Sequence, residues 1–409
     1  MVENIIIVND FGHINGGAGK VAYMEAHALS QKGYNVIWFC ATTPDMSLFE
    51  KYNIKVICTN QYDIVSNPSR IKAIIQGCWN GKAFDEMCRL LSSLDMTKTI
   101  VHVHCFSKAL SASVFESAAK YNVKVCYTLH DYFSFCPNGG LYNYKSKTIC
   151  HLKPGGLSCA VCNCDSRSYA QKMFRNVRHL FVKKALNAIR NRMAIVSIGL
   201  TNERVSKPSL YRYSNEWYYL KNPIELNEQE VVDISKNDTY LFIARLSSEK
   251  GIELFCEAIS QLGLKGCVLG DGYLMDEYKT KYPSIEFAGW VCGAQKESYI
   301  RKGKCLVFPS LWYEGAPLTT VEMKSYGFPC IVPDECAASE DVEDGKTGYI
   351  FKIGSLESLK QALCKFEKTD MQVMQQNVIN SFNPHIFTSE YHVNNLIKIY
   401  EKVLRGKGK

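Results

Sequence analysis

Short apolar runs alternate with stretches of helical periodicity along the whole chain. In the first half the runs are 4–8, 35–40, 54–58, 99–105, 123–129 and 194–198. They are apolar almost without interruption, the pattern of strands buried on both faces of a parallel sheet. Between them, apolar residues recur at helical spacing over 18–32, 83–93, 108–121 and 170–190. A second series starts at Tyr240-Leu241-Phe242-Ile243-Ala244 and continues with 265–269, 284–288, 304–309, 329–332 and 348–351. Strands and helices alternating in this way predict an α/β protein with two successive doubly wound units of similar size. Lys221-Asn222-Pro223-Ile224 is the predicted link, giving domains 1–222 and 223–385. A last helical pattern, about Phe387 to Leu404, has no strand after it. No repeat of 20–50 residues and no low-complexity tract interrupts the two series.

Composition changes the picture in two places. The chain of 409 residues has a formal net charge of +8, but the charge is uneven. Residues 1–222 hold 27 Lys/Arg against 14 Asp/Glu, whereas 223–409 hold 21 against 26. A basic half can favour nucleic acid, anionic lipid or a phosphorylated substrate; no nucleic-acid motif accompanies it, so nucleic acid ranks last. Eighteen cysteines follow a start (Met1-Val2-Glu3-Asn4) that reads as a first strand and not as a signal peptide. That usage predicts a reducing, cytoplasmic location with thiols free or metal-bound. No run of 18 apolar residues exists, so no membrane-spanning helix is expected.

The chemistry concentrates where strand 304–309 ends in Pro309-Ser310-Leu311-Trp312-Tyr313-Glu314-Gly315-Ala316-Pro317 and a helix carries on to Glu322 and Gly327. Pro317 suits the first helical position, having no N–H to orphan. The open amides of Leu318, Thr319 and Thr320 would then face an anion such as a diphosphate. Carboxylates beside an anion serve to accept hydrogen bonds from hydroxyls, so the expected ligand is polyhydroxylated and phosphorylated. After strand 240–244 come Arg245 and Lys250, two cations able to clasp the same diphosphate, one by its planar fork and one as a point charge. The first strand leads into Gly16-Gly17, where backbone can approach a ligand closely, and strand 123–129 ends at His130-Asp131.

Glu314 and Glu322, eight apart in this strand–turn–helix context, resemble the E-x7-E motif of retaining glycosyltransferases with the GT-B fold (glycosyltransferase family four). The resemblance is strongest over 240–350 and implies two Rossmann-like domains facing across a cleft, with the final helix 386–409 packed back on the first. It assigns Glu314 to the donor sugar and Glu322 to the nucleotide ribose. Arg245 and Lys250 neutralise the leaving diphosphate, and His130 lies beside the sugar. Gly16, Gly17, Gly315, Leu318 and Thr319 line the donor, and Trp290 with Val291 marks the nucleobase region. Catalytic residues are thus Glu314, His130, Arg245 and Lys250. Asp131 would orient His130 or face the acceptor. The implied reaction moves a hexose from a nucleoside diphosphate sugar to a polysaccharide or lipid-linked glycan acceptor in surface polysaccharide biosynthesis. A GT-B epimerase or phosphorylase is the alternative; a non-catalytic sugar-nucleotide-binding subunit is a third. No D-x-D occurs, and helix amides with two cations can replace a metal, so no catalytic cofactor is expected.

Two features lie outside that motif set. Between Ser166 and Asn202 there are eight Lys/Arg and no acid, with Phe174, Val177, Phe181, Ala185 and Ala188 at helical spacing. This reads as a basic amphipathic helix, able to lie on an anionic membrane surface on the cytoplasmic side. The insertion 132–170 holds Cys136, Cys150, Cys159, Cys162 and Cys164. Cys136, Cys150, Cys159 and Cys162 are compatible with a four-coordinate structural zinc, with Cys164 or His151 as substitutes.

Overall fold

The computed structural model describes residues 1–226 and 230–406 and divides into two compact units. The first comprises Met1–Gly140, Leu152–Glu225 and His385–Lys409; the second comprises Leu141–His151 and Leu226–Pro384.

In the first unit, strands β1 (Asn4–Val8), β2 (Asn35–Cys40), β3 (Lys55–Cys58), β4 (Thr99–Val103) and β5 (Lys124–Thr128) follow the apolar runs closely. A short hairpin, β6 (Tyr142–Asn143) and β7 (Thr148–Ile149), precedes β8 (Met193–Ser197) and β9 (Glu216–Tyr219). The seven-stranded sheet runs β3-β2-β1-β4-β5-β8-β9, parallel throughout. β9 went unread because Glu216-Trp217-Tyr218-Tyr219 sits at a sheet edge and stays partly exposed, without the apolar run of an inner strand. The C-terminal helix Ser389–Arg405 buries Val393, Leu396, Ile399, Tyr400 and Val403 in the same core as Ile5, Ile7 and Trp38.

The second unit holds β10 (Thr239–Ile243), β11 (Lys265–Leu269), β12 (Glu286–Gly289), β13 (Gly303–Val307), β14 (Cys330–Pro333) and β15 (Gly348–Phe351). Their order is β12-β11-β10-β13-β14-β15, again parallel. Apolar clusters cover both faces, which is why these strands alternate so little. Each sheet reverses strand order at one point, between β1 and β4 and between β10 and β13; α/β folds bind ligands beyond the carboxyl ends of the strands there.

Three expectations change. The units part at 225/226, three residues after the predicted boundary, and residues 227–229 of the link lie outside the described residues, as do 407–409 of the final segment. The insertion 132–170 does not act as one piece, because 141–151 groups with the second unit, where Lys147 Nζ pairs with Glu253 at 2.8 Å. The basic helix, observed at Tyr169–Ala188, also presents a different face. It buries Lys172, Arg178, Val182, Ala185 and Leu186 and leaves Val177 and Leu180 exposed. Internal partners decide this. Arg175 pairs with the buried Asp165 at 2.8 Å, and Arg178 donates to the Ser107 carbonyl at 3.0 Å while lying over the Phe133 ring.

Candidate active site

At the switch point of the second sheet, β10 delivers Arg245 and Lys250, and β13 delivers Ser310 and Glu314. Gly251 allows the two loops to meet. Its φ of +72° is a left-handed conformation that a side chain would strain, and a Cβ there would stand 1.9 Å from the Pro309 carbonyl oxygen. The Leu311 amide donates to the Glu249 carbonyl at 2.8 Å, locking one loop on the other. Lys250 Nζ consequently bonds Glu314 Oε1, the Ser310 hydroxyl donates to the same oxygen at 3.0 Å, and the ammonium lies 5.0 Å from the Trp312 ring centre. Burial by itself would raise the Glu314 pKa, but the Lys250 charge and these hydrogen bonds hold it below the ordinary carboxylate value. Glu314 is therefore ionised at neutral pH.

Arg245 keeps 65% of its side chain exposed; its Nη2 donates to the buried Glu249 carboxylate at 2.8 Å, and the Ser247 hydroxyl supports that carboxylate at 2.6 Å. The helix Leu318–Ser325 begins one residue later than predicted. Pro317 is its N-cap, with extended backbone, and not its first helical residue. No side chain caps this end, so the amides of the first turn stay open as anion donors. Gly315, Leu318 and Thr319 are partly exposed around it. Glu322, in the second turn, pairs with Lys296 at 2.5 Å. Lys296 was missed in the sequence, where nothing distinguishes it from any surface lysine. Trp290 is 75% exposed, while Val291 is buried, so at Val291 only backbone is on offer to a ligand.

In the first unit, Gly16 has φ +71° and, with Gly17, opens the helix Gly16–Gln31 on an exposed turn. Asp10, fully buried after β1, accepts the amides of Lys108, Ala109 and Leu110, each at 2.8 Å, and so ties the end of β1 to the segment after β4. His130 is half-buried beyond β5, and its partner is not Asp131. Asp131 instead accepts the Phe133 amide at 3.0 Å, its pKa pushed up to about 6 by burial. The His130 ring is held by His104, whose Nδ1 lies 2.9 Å from His130 Nε2. Behind His104 stand Glu25, His102 and His392, all buried. The alternation His102-Val103-His104 on a strand was the available signal, since period two puts both rings on one face.

Among the described residues, Glu25, His102 and His104 bring their ligand atoms within 4.8 Å of one another. His102 Nδ1, which faces Glu25, is also 2.6 Å from the Tyr400 hydroxyl. Of the predicted zinc ligands, Cys136 and Cys159 are buried in the first unit and Cys162 is half-buried there, whereas Cys150 falls in the 141–151 stretch. Lys172 is fully buried, with its Nζ 3.6 Å from Cys159 Sγ.

Two doubly wound parallel α/β units define the GT-B class, and the match to solved structures agrees. UDP-bound Alr3699/HepE of Anabaena superposes with a TM-score of 0.66 at 12% identity, covering 98% of this chain and 100% of that one. Sucrose-phosphate synthase of Thermosynechococcus elongatus gives 0.69 at 14%, covering 98% and 99%. Residues 237–368, which carry Arg245, Lys250, Glu314 and Glu322, match the family model described as Glycosyl transferases group 1. A galactosyltransferase of Escherichia coli, UDP-Gal:alpha-D-GlcNAc-diphosphoundecaprenol alpha-1,3-galactosyltransferase, is 24% identical over 38% of this chain and 45% of its own length. The chain thus matches less than half of that protein. An uncharacterised 42.6 kDa protein from the cps region of Klebsiella pneumoniae is 24% identical over 78% of this chain and 82% of its own.

Proposed function

We propose that the protein is a retaining glycosyltransferase that moves a hexose from a nucleoside diphosphate sugar to a glycan or lipid-linked acceptor during surface polysaccharide assembly. The observation that carries this reading is the ionised Glu314 held by Lys250 beside the uncapped helix Leu318–Ser325. An anion at the helix start would draw on the open amides, Lys250 and Arg245 together. Glu314 would accept from sugar hydroxyls and Glu322 from the ribose. The bond from the anomeric carbon to the diphosphate oxygen breaks, and the acceptor oxygen bonds to that carbon on the same face. The acceptor's proton passes to the departing diphosphate. No side-chain base is required: the protein supplies charge for the leaving group and position for the partners. UDP-bound and UDP-glucose-bound neighbours favour a uridine donor, and the lipid-diphosphate substrate named for the Escherichia coli relative favours a lipid-linked acceptor.

Thermal-shift screening of UDP, GDP and ADP sugars tests the donor, with stabilisation expected from one nucleotide class. NMR of the product tests the stereochemistry; an inverted anomeric centre overturns the mechanism. Donor turnover without acceptor would point to an epimerase instead.

Two further parts belong to this reading. Among the described residues no helix is long and apolar enough to cross a membrane. Attachment to the cytoplasmic membrane would therefore be peripheral, through the outward cations Lys184, Arg190 and Arg192 and the exposed Val177 and Leu180. The insertion's cysteines would bind a structural zinc. The Lys172 ammonium, buried against Cys159, needs negative charge nearby, and zinc-bound thiolates would provide it.

A further inference from the structure

His130, Glu25, His104, His102 and His392 come from four separate parts of the chain, and their hydrogen bonds determine one another's protons. His392 Nδ1 is 2.7 Å from the Lys221 carbonyl oxygen, which can only accept, so Nδ1 carries a proton. Its Nε2 is 2.9 Å from Glu25 Oε1. Glu25 also stands 3.2 Å from both His102 Nδ1 and His104 Nε2, and a carboxyl ringed by imidazole nitrogens in this way is held as the anion. Facing that anion, His392 Nε2 must also carry a proton. Glu25 and His392 are then a buried ion pair, and the dry site has no room for a second uncompensated charge.

The remaining rings are accordingly neutral. Burial presses His102 down to about 4 and His130 well below its ordinary value. His104 Nε2 stands 3.2 Å from Glu25 Oε2 and carries the ring's one proton toward it. His104 Nδ1 is left as an acceptor, so the 2.9 Å contact requires a proton on His130 Nε2. His130 Nδ1 is then bare. We infer that Glu25, acting through His104, is a positioning residue that sets the tautomer of His130, so that His130 offers an Nδ1 lone pair to a hydroxyl of its ligand. His102 (held by Tyr400 and Thr128) and His392 complete the charged and titratable groups around Glu25. The link to a sugar hydroxyl rests on the proposed function; the tautomer does not.

Two-bond ¹H–¹⁵N correlation spectra of histidine-labelled protein read the tautomer directly. The protein has nine histidines, and His130→Asn identifies the relevant signals. In the unliganded wild type at neutral pH, His130 Nδ1 is expected at the unprotonated position and Nε2 at the protonated one; the reverse overturns the inference. Glu25→Gln removes the anion and should move both His130 nitrogens toward an average of the two tautomers, whereas an unchanged His130 pattern also overturns it. Should that variant not fold, the wild-type spectrum decides alone. Turnover in Glu25→Gln should fall about tenfold, the scale of one misdirected hydrogen bond, with nucleotide affinity unchanged; a loss of nucleotide affinity to match would mean a merely structural role. Full turnover in His130→Asn would defeat the sugar contact while leaving the tautomer result intact.

Discussion

The two units handle charge in opposite ways. In the second, the candidate residues form separate pairs, Arg245–Glu249, Lys250–Glu314 and Lys296–Glu322, each partly accessible and made by neighbouring loops and helices. In the first, Glu25 and three histidines share one sealed cluster, with Tyr400 and Thr128 closing it. Separate pairs at the ends of strands and helices can exchange partners with a ligand one at a time. A sealed cluster cannot exchange anything; it can only hold a geometry. Under the proposed function the second unit carries the donor chemistry, while His130 of the first is a ring set in one orientation.

The largest effect should come from the sealed cluster. Glu25→Ala removes the acceptor that His392 Nε2 and the neighbouring buried rings face, and should cost about 3 kcal/mol of stability, read by denaturant unfolding. A loss under 1 kcal/mol would mean the cluster is wetter than the structure shows. Lys250→Ala should hardly change stability but lower turnover about 10²–10³-fold, the scale of removing one preorganised charge contact. A stability loss as large as that of Glu25→Ala would erase the contrast between the units.

Next in size is the division between the carboxylates. Glu314→Gln should lower kcat, because it touches the reacting sugar, whereas Glu322→Gln should weaken nucleotide binding about tenfold, the scale of one lost charge-assisted bond. Equal effects on nucleotide affinity would contradict it. Acid sensitivity is smaller but has a definite sign. The Glu25 and Glu314 carboxyls titrate lower in the folded chain than when unfolded. Their contribution is complete above the ordinary carboxylate pKa and is lost as pH falls through their depressed values. The stability of Glu25→Gln, read by denaturant unfolding at a series of pH values, should therefore fall less steeply with acid than that of the wild type. Last, metal analysis should find about one zinc per chain, and its removal should leave Lys250-dependent chemistry unaltered.

The resemblance assigned Arg245, Lys250, Glu314 and Glu322 to one site; the first three follow the ends of apolar strands that periodicity predicts, and Glu322 sits on the helix after the second of them. Local signals suffice for that, because a parallel sheet places successive strand ends on one edge. Pro317 shows the limit of local reading: its chemistry fits the first helical position, yet the turn from Glu314 makes it the cap. Residues 170–190 show a second limit. Spacing predicted their helix, but Asp165, the Ser107 carbonyl and the aromatic rings decided which cations face inward.

The chain by itself determined its class, two α/β units with an uncapped helix start between two carboxylates eight apart, because periodicity and strand-end chemistry are properties of short segments. Only the tertiary structure decided that Asp131 does not orient His130, that Glu25 stands behind it, and that His392 lies against Glu25. Those residues lie up to 367 positions apart, and a proton's place on an imidazole depends on what both ring nitrogens touch, which no local pattern encodes.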